Sequence, residues 1–377
     1  MVKPLIIRNV QVWGGAQRVL YTAARFLAQP APDSTAVDLD GCAVFPALIN
    51  AHDHLELNHY PRAKFRDRYD NAHQWGEDVN ARLEDEPYKT LRAHPLWDRL
   101  FIGGLKNLLC GAIWVAHHNP PHRDLFRSDF PVRALRRYGW SHSLHFTPEA
   151  EIVRSYRAAP PDAPWFIHLA EGTDEIAASE YQRLKALGCI GKNTVIVHGV
   201  GLREEDIADA APTVRGLVVC PTSNRYLLGA EPPIRRWLAA GGRLAYGSDS
   251  RLTADGDLLD EREPDGAPAD ASWLGFASAG ALRPGCHADF IALRTGVRRP
   301  RRADLALVVR GGVPQIGDPD LMLKFPVESV PALLDGVLKR INLKLARQIA
   351  RCALEERGLE IDALPEKRRK WFIGVPL

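Results

Sequence analysis

The sequence lacks a long uninterrupted apolar segment and lacks a large excess of charge of either sign. Its 377 residues carry a formal net charge of only +3, which gives no reason to expect a nucleic-acid partner. No segment approaches the roughly 18 apolar residues of a membrane-spanning helix. The opening residues MVKPLIIRNVQVW also lack the pattern of a signal peptide. We therefore expect a cytoplasmic protein that binds neither nucleic acid nor membrane.

Clustered cysteines are absent as well. The six cysteines are spread along the chain, and no two of them form a Cys-x-x-Cys pair. Disulfide frameworks and thiolate zinc sites both require clustering. We interpret the cysteines as buried free thiols in a reducing compartment.

Short apolar runs alternate with polar loops and helical patterns through the middle of the chain. The runs are 47–52, 111–118, 165–170, 194–199, 217–223 and 243–249. Such alternation indicates parallel strands covered on both faces. With one or two weaker strands, including the stretch around 140–146, it predicts an α/β fold of the (β/α)8 TIM-barrel class. A doubly wound open sheet is the alternative, but no glycine-rich phosphate loop supports it.

The two ends of the chain differ in pattern from the middle. Strand-like residues in 1–44 and 282–315 predict one small β-domain built from both ends, around a barrel at 45–281. The region after Asp249 is rich in Asp, Pro and Gly, so we expect an abbreviated eighth helix. Apolar residues at helical spacing between 331 and 356 predict a helical C-terminal extension at 316–377.

Potential metal ligands stand at the C-terminal ends of the apolar runs. His52 and His54 are two residues apart, so on an extended backbone their side chains point to the same side. His168, His198 and Asp249 end three further runs. Each residue alone could be structural, but five at the same end of independent strands indicate a nitrogen-and-oxygen site for zinc or iron(II).

The ordered motifs PALINAHDH, FIHLAE, VIVHG, CPTSN and YGSDS resemble the amidohydrolase superfamily. The resemblance runs from about residue 6 to 314. Within that superfamily it is greatest to the aminohydrolase branch, which includes chlorotriazine hydrolases and guanine, cytosine and adenosine-type deaminases. The motifs do not identify the substrate.

The resemblance implies roles for individual residues. One divalent metal, Zn²⁺ in preference to Fe²⁺, would be held by His52, His54, His168, His198 and Asp249. Catalysis would use Glu171 to shuttle protons, His198 to polarise the substrate and Asp249 as a general base. His117 and His118 resemble a substrate-side pair. Beyond the first histidine pair, Glu56 and His59 could line the pocket or cap the following loop, and we interpret Asn224 as a loop-stabilising residue.

Three functions are compatible with these residues. The first is deamination of a small-molecule nitrogen heterocycle, in which hydroxide generated at the metal attacks the C–N bond. The second is ring-opening hydrolysis of a cyclic amide. The third is a non-catalytic barrel that binds a ligand or partner, which the shortened region after Asp249 suggests. That region could also leave the pocket open, to be completed by another subunit of a homo-oligomer.

Overall fold

The computed structural model describes residues 2–16, 18–261, 272–276, 279–362 and 364. Within these ranges no helix is long and apolar enough to cross a bilayer. The predicted abbreviation of the eighth helix falls largely on 262–271 and 277–278, which lie outside the described residues.

The N-terminal strands are short. They are β1 (Leu5–Arg8), β2 (Gln11–Val12), β3 (Val19–Thr22), β4 (Phe26–Leu27), β5 (Thr35–Asp38) and β6 (Ala43–Pro46). Four of them form a sheet in the order β4-β3-β1-β5. In β1, Leu5 and Ile7 are buried while Arg8 is exposed, as expected for a strand with one face on a core.

Eight parallel strands occupy the middle of the chain. They are β7 (Leu48–Asp53), β8 (Ala112–His117), β9 (Arg133–Ala134), β10 (Gly139–Trp140), β11 (Trp165–Leu169), β12 (Thr194–His198), β13 (Gly216–Val219) and β14 (Leu244–Tyr246). The strands β7-β8-β9 form one sheet and β10-β11-β12-β13-β14 another. Every residue of β8, β11, β12 and β13 is buried. Burial on both faces explains why these strands are continuous apolar runs.

Helices connect and cover the parallel strands. They are α1 (Ala72–Asn80), α2 (Tyr88–Arg92), α3 (Leu96–Leu109), α4 (Glu149–Ala158), α5 (Glu175–Ala186), α6 (Glu204–Thr213), α7 (Pro221–Leu228) and α8 (Ile234–Ala239). Helix α5 shows why the sequence is helical here. The Asp174 side chain accepts a hydrogen bond from the Ala177 N–H at its N-terminus, and Arg183 and Lys185 lie in its last turn. Both features complement the helix dipole.

The two parallel sheets meet where the first and last strands come together. The N–H of Asp249, just after β14, donates to the carbonyl of His52 in β7 at 3.0 Å. The Ser248 N–H donates to the Asn50 side chain, also at 3.0 Å. An α/β fold with parallel sheets is therefore confirmed, whereas a fully closed eight-stranded ring stays a prediction.

The C-terminal elements add mainly antiparallel structure. They are β15 (Phe290–Leu293), β16 (Leu305–Arg310), β17 (Val313–Gly317), α9 (Pro319–Met322), β18 (Ser329–Leu334), β19 (Val337–Asn342), α10 (Leu343–Ile349) and β20 (Leu359–Ile361). With two N-terminal strands they form a sheet in the order β2-β6-β15-β16-β17-β19-β18-β20. Strand β6 pairs antiparallel with β15, Pro46 opposite Phe290. Both chain ends therefore share one sheet, although the predicted domain boundaries themselves are untested.

The predicted helix at 331–356 is wrong over most of its length. Residues 329–342 form the hairpin β18–β19, and only α10 is helical. Leu338, which the helix required to be buried, is 58% exposed. The reason is the Asp335–Gly336 turn: both residues have positive φ, 50° and 78°, as a two-residue type I′ hairpin requires. Strand β17 also crosses the predicted boundary at residue 315.

Candidate metal centre

The five predicted ligands converge at the C-terminal ends of the parallel strands. His52 lies in β7 and His54 just after it, His168 lies in β11, His198 ends β12, and Asp249 follows β14. All five are buried, with exposures from 0% for His52 to 7% for His54. Parallel strands place their carboxyl ends at one edge, which explains why residues so distant in sequence meet.

Three imidazoles point their Nε2 atoms at a common position. The Nε2 of His168 lies 3.3 Å from the Nε2 of His54 and 3.3 Å from the Nε2 of His52. A ligand tetrahedron around zinc, with bonds of about 2.0–2.1 Å, has neighbouring nitrogen atoms about 3.3–3.4 Å apart. One N–H could satisfy only one of these close pairs, so the donor set fits a cation better than a hydrogen-bonded cluster.

Asp249 completes this group with one carboxylate oxygen. Its Oδ1 lies 3.7 Å from the Nε2 of His52 and 3.8 Å from the Nε2 of His54. Its Oδ2 accepts hydrogen bonds from Ser223 Oγ and Thr253 Oγ1, both at 2.8 Å. The two hydroxyls therefore fix the carboxylate with Oδ1 turned towards the imidazoles.

The charge state of Asp249 follows from its surroundings. Burial raises the pKa of this carboxyl, but the interactions with His52, whose Nε2 lies 3.7 Å from Oδ1, and with His54 and His198 outweigh burial and hold the pKa well below its usual range. Asp249 is therefore an anion beside the imidazoles, as a metal ligand or general base requires.

His198 is oriented by a residue that sequence analysis placed in a purely structural role. Its Nδ1 lies 2.8 Å from the amide oxygen of Asn224, so Nδ1 carries the proton and Nε2 keeps the lone pair. Burial, first among several effects, lowers the pKa of His198 to about 4. A neutral imidazole therefore faces the site, with Nε2 3.5 Å from Oε1 of Glu171.

Glu171 is poised to carry a proton. Burial, followed by the charges of Asp249 and Glu180, raises the pKa of its carboxyl well above the usual value. The second carboxyl, Glu180, accepts a hydrogen bond from the Ala170 N–H at 2.7 Å and lies 3.1 Å from Nε2 of His73. A carboxyl whose pKa is raised in this way holds its proton more tightly and can act as a general acid.

The backbone is strained at the strand ends that carry these groups. Ala170, His198 and Asp249 have φ values of 54°, 73° and 50°, in the left-handed region that residues other than glycine seldom adopt. Such strain concentrates at functional sites, where the fold holds side chains in place.

A cavity of about 520 Å³ opens over the histidines. Its walls include Leu57, Tyr60, Trp75, Tyr88 and Phe146 on the apolar side, and Glu56, His142, Glu171 and Asp249 on the polar side. Apolar walls with a few convergent polar groups are typical of small-molecule sites. A larger groove of about 1310 Å³, lined by Arg133 and Arg310 among others, lies away from the metal ligands.

The predicted substrate contacts divide into two groups. Glu56 lines the cavity. His59 instead directs Nε2 to the Leu91 carbonyl at 3.0 Å, and His117 is 3% exposed with Nε2 3.7 Å from Glu56.

His118 is 1% exposed, and its two nitrogens face Nδ1 of His52 at 3.2 Å and the Ser141 carbonyl at 3.0 Å. Because both nitrogens of His118 are engaged, the substrate role predicted for it does not fit the structure.

Two clusters of potential ligands include residues for which the sequence predicted no metal role, His118 and Cys220. His118 forms a compact group with His52, His54 and His168, in which one nitrogen of each lies within 4.8 Å of all the others. A second group joins His52, His198 and Cys220. Burial raises the pKa of the Cys220 thiol well above its usual value, which makes it a poor ligand.

Ser223 and His142 had no predicted role, and Asn224 had only a structural one, although each carried a weak signal in the sequence. Ser223 and Asn224 lie within the CPTSN motif itself, next to His198 and Asp249 in space. His142 lines the cavity and has its ring centroid 4.9 Å from that of His168. The stretch SHSLH after β10 could have suggested it.

Comparison with known proteins gives sequence relatives and shared folds. No family model matches the chain. It is 25% identical over 269 residues to a 5-methylthioadenosine/S-adenosylhomocysteine deaminase from Natronomonas pharaonis, covering 60% of this chain and 62% of that protein. It is 28% identical over 126 residues to an 8-oxoguanine deaminase from Pseudomonas aeruginosa, covering 31% and 28%. The chain thus spans less than two thirds of either relative.

Two solved structures share its fold. A triazine hydrolase from Arthrobacter aurescens matches with a TM-score of 0.66 at 17% identity, covering 83% of this chain and 94% of that one. A zinc-containing adenosine deaminase from Xanthomonas campestris matches with a TM-score of 0.64 at 18% identity, covering 83% and 93%. These matched proteins are aminohydrolases of the amidohydrolase superfamily. The match confirms the resemblance that the sequence motifs of this chain indicate.

Proposed function

We propose that this chain is a metal-dependent hydrolase that deaminates a nitrogen heterocycle. The observation that carries the proposal is the meeting of three imidazole Nε2 atoms at 3.3 Å spacing beside Oδ1 of Asp249. His52, His54, His168 and Asp249 would hold one divalent metal, and zinc suits this nitrogen-rich set better than iron. The closed (β/α)8 ring and the division at residues 44 and 281 belong to the same proposal.

His52, His54, His168 and Asp249 would hold a divalent metal, which would supply a nucleophile at neutral pH by lowering the pKa of water from about 15.7 towards 7. The anionic Asp249 accepts the proton of the attacking water, since its Oδ1 faces the ligands while Oδ2 is occupied by two hydroxyls. His198 stands beside the cavity and stabilises charge that develops on the attacked ring.

Glu171 supplies the proton that a deamination needs. Its carboxyl lines the cavity and lies beside the neutral Nε2 of His198. It protonates a ring nitrogen of the substrate, receives the proton that Asp249 took from water, and passes that proton to the departing amine. The hydroxyl added to the ring carbon then gives up its proton as the carbonyl forms, which restores the acid form of Glu171. Positioned acid–base groups of this kind contribute about 10²–10⁴-fold to the rate.

The size and walls of the cavity support a small planar substrate. Its volume of about 520 Å³ suits a small molecule, and Trp75 and Phe146 offer aromatic surfaces to a planar ring. The curated relatives are named as deaminases of adenosine derivatives and of 8-oxoguanine. These names support a heterocyclic amine as the substrate.

The test combines metal analysis with a screen for ammonia release from purines, pyrimidines, pterins and triazines. We expect about one zinc per chain, and activity that a chelator removes and zinc restores. Asp249→Asn and Glu171→Gln should each lose activity by at least about 10²-fold. Glu175→Gln, on the exposed start of α5, serves as the matched control.

Two outcomes would contradict the proposal. Full activity in metal-free protein would exclude the metal site as the source of catalysis. Hydrolysis without release of ammonia would indicate ring opening of a cyclic amide instead of deamination.

A further inference from the structure

His118 follows β8 and holds a fixed protonation pattern through its contact with Ser141. Its Nε2 lies 3.0 Å from the backbone carbonyl of Ser141. A carbonyl oxygen can only accept, so Nε2 of His118 carries a proton and donates it. In a neutral imidazole the other nitrogen, Nδ1, is then an acceptor.

The Nδ1 of His118 is directed at the first metal-ligand candidate. It lies 3.2 Å from Nδ1 of His52. Because His118 accepts at this contact, Nδ1 of His52 must donate, and Nε2 of His52 keeps its lone pair. That lone pair faces the position shared with Nε2 of His168, 3.3 Å away.

We propose that His118 is a positioning residue which fixes the tautomer and ring orientation of His52 for metal binding. The relay runs from the Ser141 carbonyl through His118 to His52, and so connects the ends of β10, β8 and β7. Imidazoles that bind metals usually donate their second N–H to a carboxylate or carbonyl. Here a second histidine takes that place. This inference rests on the proposed metal site.

Direct coordination by His118 is the competing arrangement, because the four imidazoles lie close enough together for it. It would require Nδ1 of His118 to turn away from His52. The N–H of His52, which is fully buried, would then lack its acceptor. A buried donor without an acceptor is unfavourable, so the relay accounts for more of the contacts.

The experiment compares zinc affinities, measured by competition with a chromophoric chelator. The amide oxygen of asparagine lies near the position of imidazole Nδ1, so His118→Asn keeps an acceptor for His52. Glutamine places its amide nearer the Nε2 position, and phenylalanine has no acceptor. We expect His118→Gln and His118→Phe to bind zinc about 10–100-fold more weakly than the wild type, with His118→Asn recovering most of that loss.

Ser141→Ala is the matched control. The relay uses the backbone carbonyl of Ser141 and not its hydroxyl, so this variant should bind zinc within about twofold of the wild type, since no ligand contact is lost. The cobalt(II) forms of the wild type and of His118→Asn should show the same visible absorption bands, because the number of ligands does not change.

Each opposite result overturns the inference. Wild-type zinc affinity in His118→Gln would show that the relay has no effect, and equal affinities in the Asn and Gln variants would remove the role of Nδ1. Cobalt bands that shift as for loss of a nitrogen ligand would make His118 a direct ligand. A wild-type protein that binds no zinc would instead overturn the proposed function together with the relay.

Discussion

The Nδ1 atom of His198 lies 2.8 Å from the amide oxygen of Asn224, and the two residues come from different strand–helix units of the parallel sheet. The contact fixes which nitrogen of His198 faces the cavity. It also makes a residue of the CPTSN motif part of the site without placing it on the substrate.

Replacing Asn224 should therefore impair catalysis more than binding of the metal. We expect Asn224→Ala to lower kcat by about 10–100-fold, because His198 loses the partner that sets its tautomer. Steady-state kinetics and metal analysis of the purified variant measure both quantities. Unchanged kcat would show that the orientation of His198 does not depend on this contact.

The two hydroxyls on Asp249 give a second prediction. Ser223→Ala and Thr253→Val each remove one hydrogen bond from Oδ2. Hydrogen bonds to a charged group are worth about 1.5–3 kcal/mol, so each variant should lower kcat by about 10-fold or more. The double variant, with both donors removed, should be the slowest. An unchanged kcat in both variants would mean that other contacts orient the Asp249 carboxylate.

The ion pair beneath the histidines should matter for stability. Lys106 and Asp53 are both fully buried, with Nζ 3.2 Å from Oδ2, and Lys106 also donates to Asn58 and Ser248. Lys106→Met leaves a buried carboxylate without its cation, so it should lower the free energy of unfolding by about 3–5 kcal/mol. Urea unfolding measures the loss.

Two further variants show whether the buried charge causes that loss of stability. Lys185→Met removes a surface ion pair, with Lys185 48% exposed, and should change stability by less than about 0.5 kcal/mol. Adding Asp53→Asn to Lys106→Met should restore part of the stability, since the uncompensated charge is gone. If Lys106→Met were as stable as the wild type, this result would show that water reaches the Asp53 carboxylate.

The C-terminal residues hold the loop that follows Asp249. Glu356 accepts two hydrogen bonds from Arg251, at 2.8 and 2.7 Å, and one from Arg302 at 2.6 Å. Glu356→Gln leaves the buried Arg251 guanidinium without its counter-charge and leaves Arg302 with Asp335 alone, so we expect a loss of about 3–5 kcal/mol in the free energy of unfolding. The neighbouring exposed Glu355 is the matched control: Glu355→Gln should be neutral within about 0.5 kcal/mol. If Glu356→Gln and Glu355→Gln changed the free energy of unfolding equally, the buried ion pairs of Glu356 would not stabilise the fold.

The buried carboxyl of Glu261 contributes to the pH dependence of stability. Burial raises the pKa of Glu261 to about 7 despite a hydrogen bond from the Thr222 N–H. A raised folded-state pKa means that stability from this group is fully present below its usual value of about 4.5 and is lost as pH rises through about 7. The loss is on the order of 3 kcal/mol between those limits.

Glu261→Gln should accordingly flatten the pH dependence. Urea unfolding at pH 5 and pH 8 should show a smaller difference for this variant than for the wild type. Glu205→Gln, in the exposed first turn of α6, should keep the wild-type difference. A variant whose stability falls as steeply as the wild type between the two pH values would assign the dependence to other groups.

The meeting of the predicted ligands at one edge of the sheet could be foreseen from the sequence, because it depends on strand order alone. His52, His168 and His198 end separate apolar runs, and parallel strands must bring those ends to one edge. Asn224 and His118 were assigned other roles for a physical reason. Their parts in the site depend on which nitrogen or oxygen faces which neighbour, and no spacing in the sequence carries that information.

The C-terminal hairpin was mispredicted because two periodicities overlap there. Leu334, Leu338, Ile341 and Leu345 fit a helix, yet Asp335–Gly336 is a strong turn signal that should have taken precedence. Amphipathic spacing over ten residues or so is common by chance, whereas an Asp–Gly pair between two apolar runs specifically favours a tight hairpin.

The pairing of β6 with β15 has a consequence for synthesis of the chain. Residues 43–46 are synthesised well before their partners at 290–293, which begin 290 − 46 = 244 positions later. At about 5–20 residues per second, the first strand waits on the order of tens of seconds with an unpaired edge. Unpaired strand edges are sites of aggregation. Slower translation or a loss of chaperones should therefore reduce the yield of native protein, because chains aggregate through the exposed edge of β6.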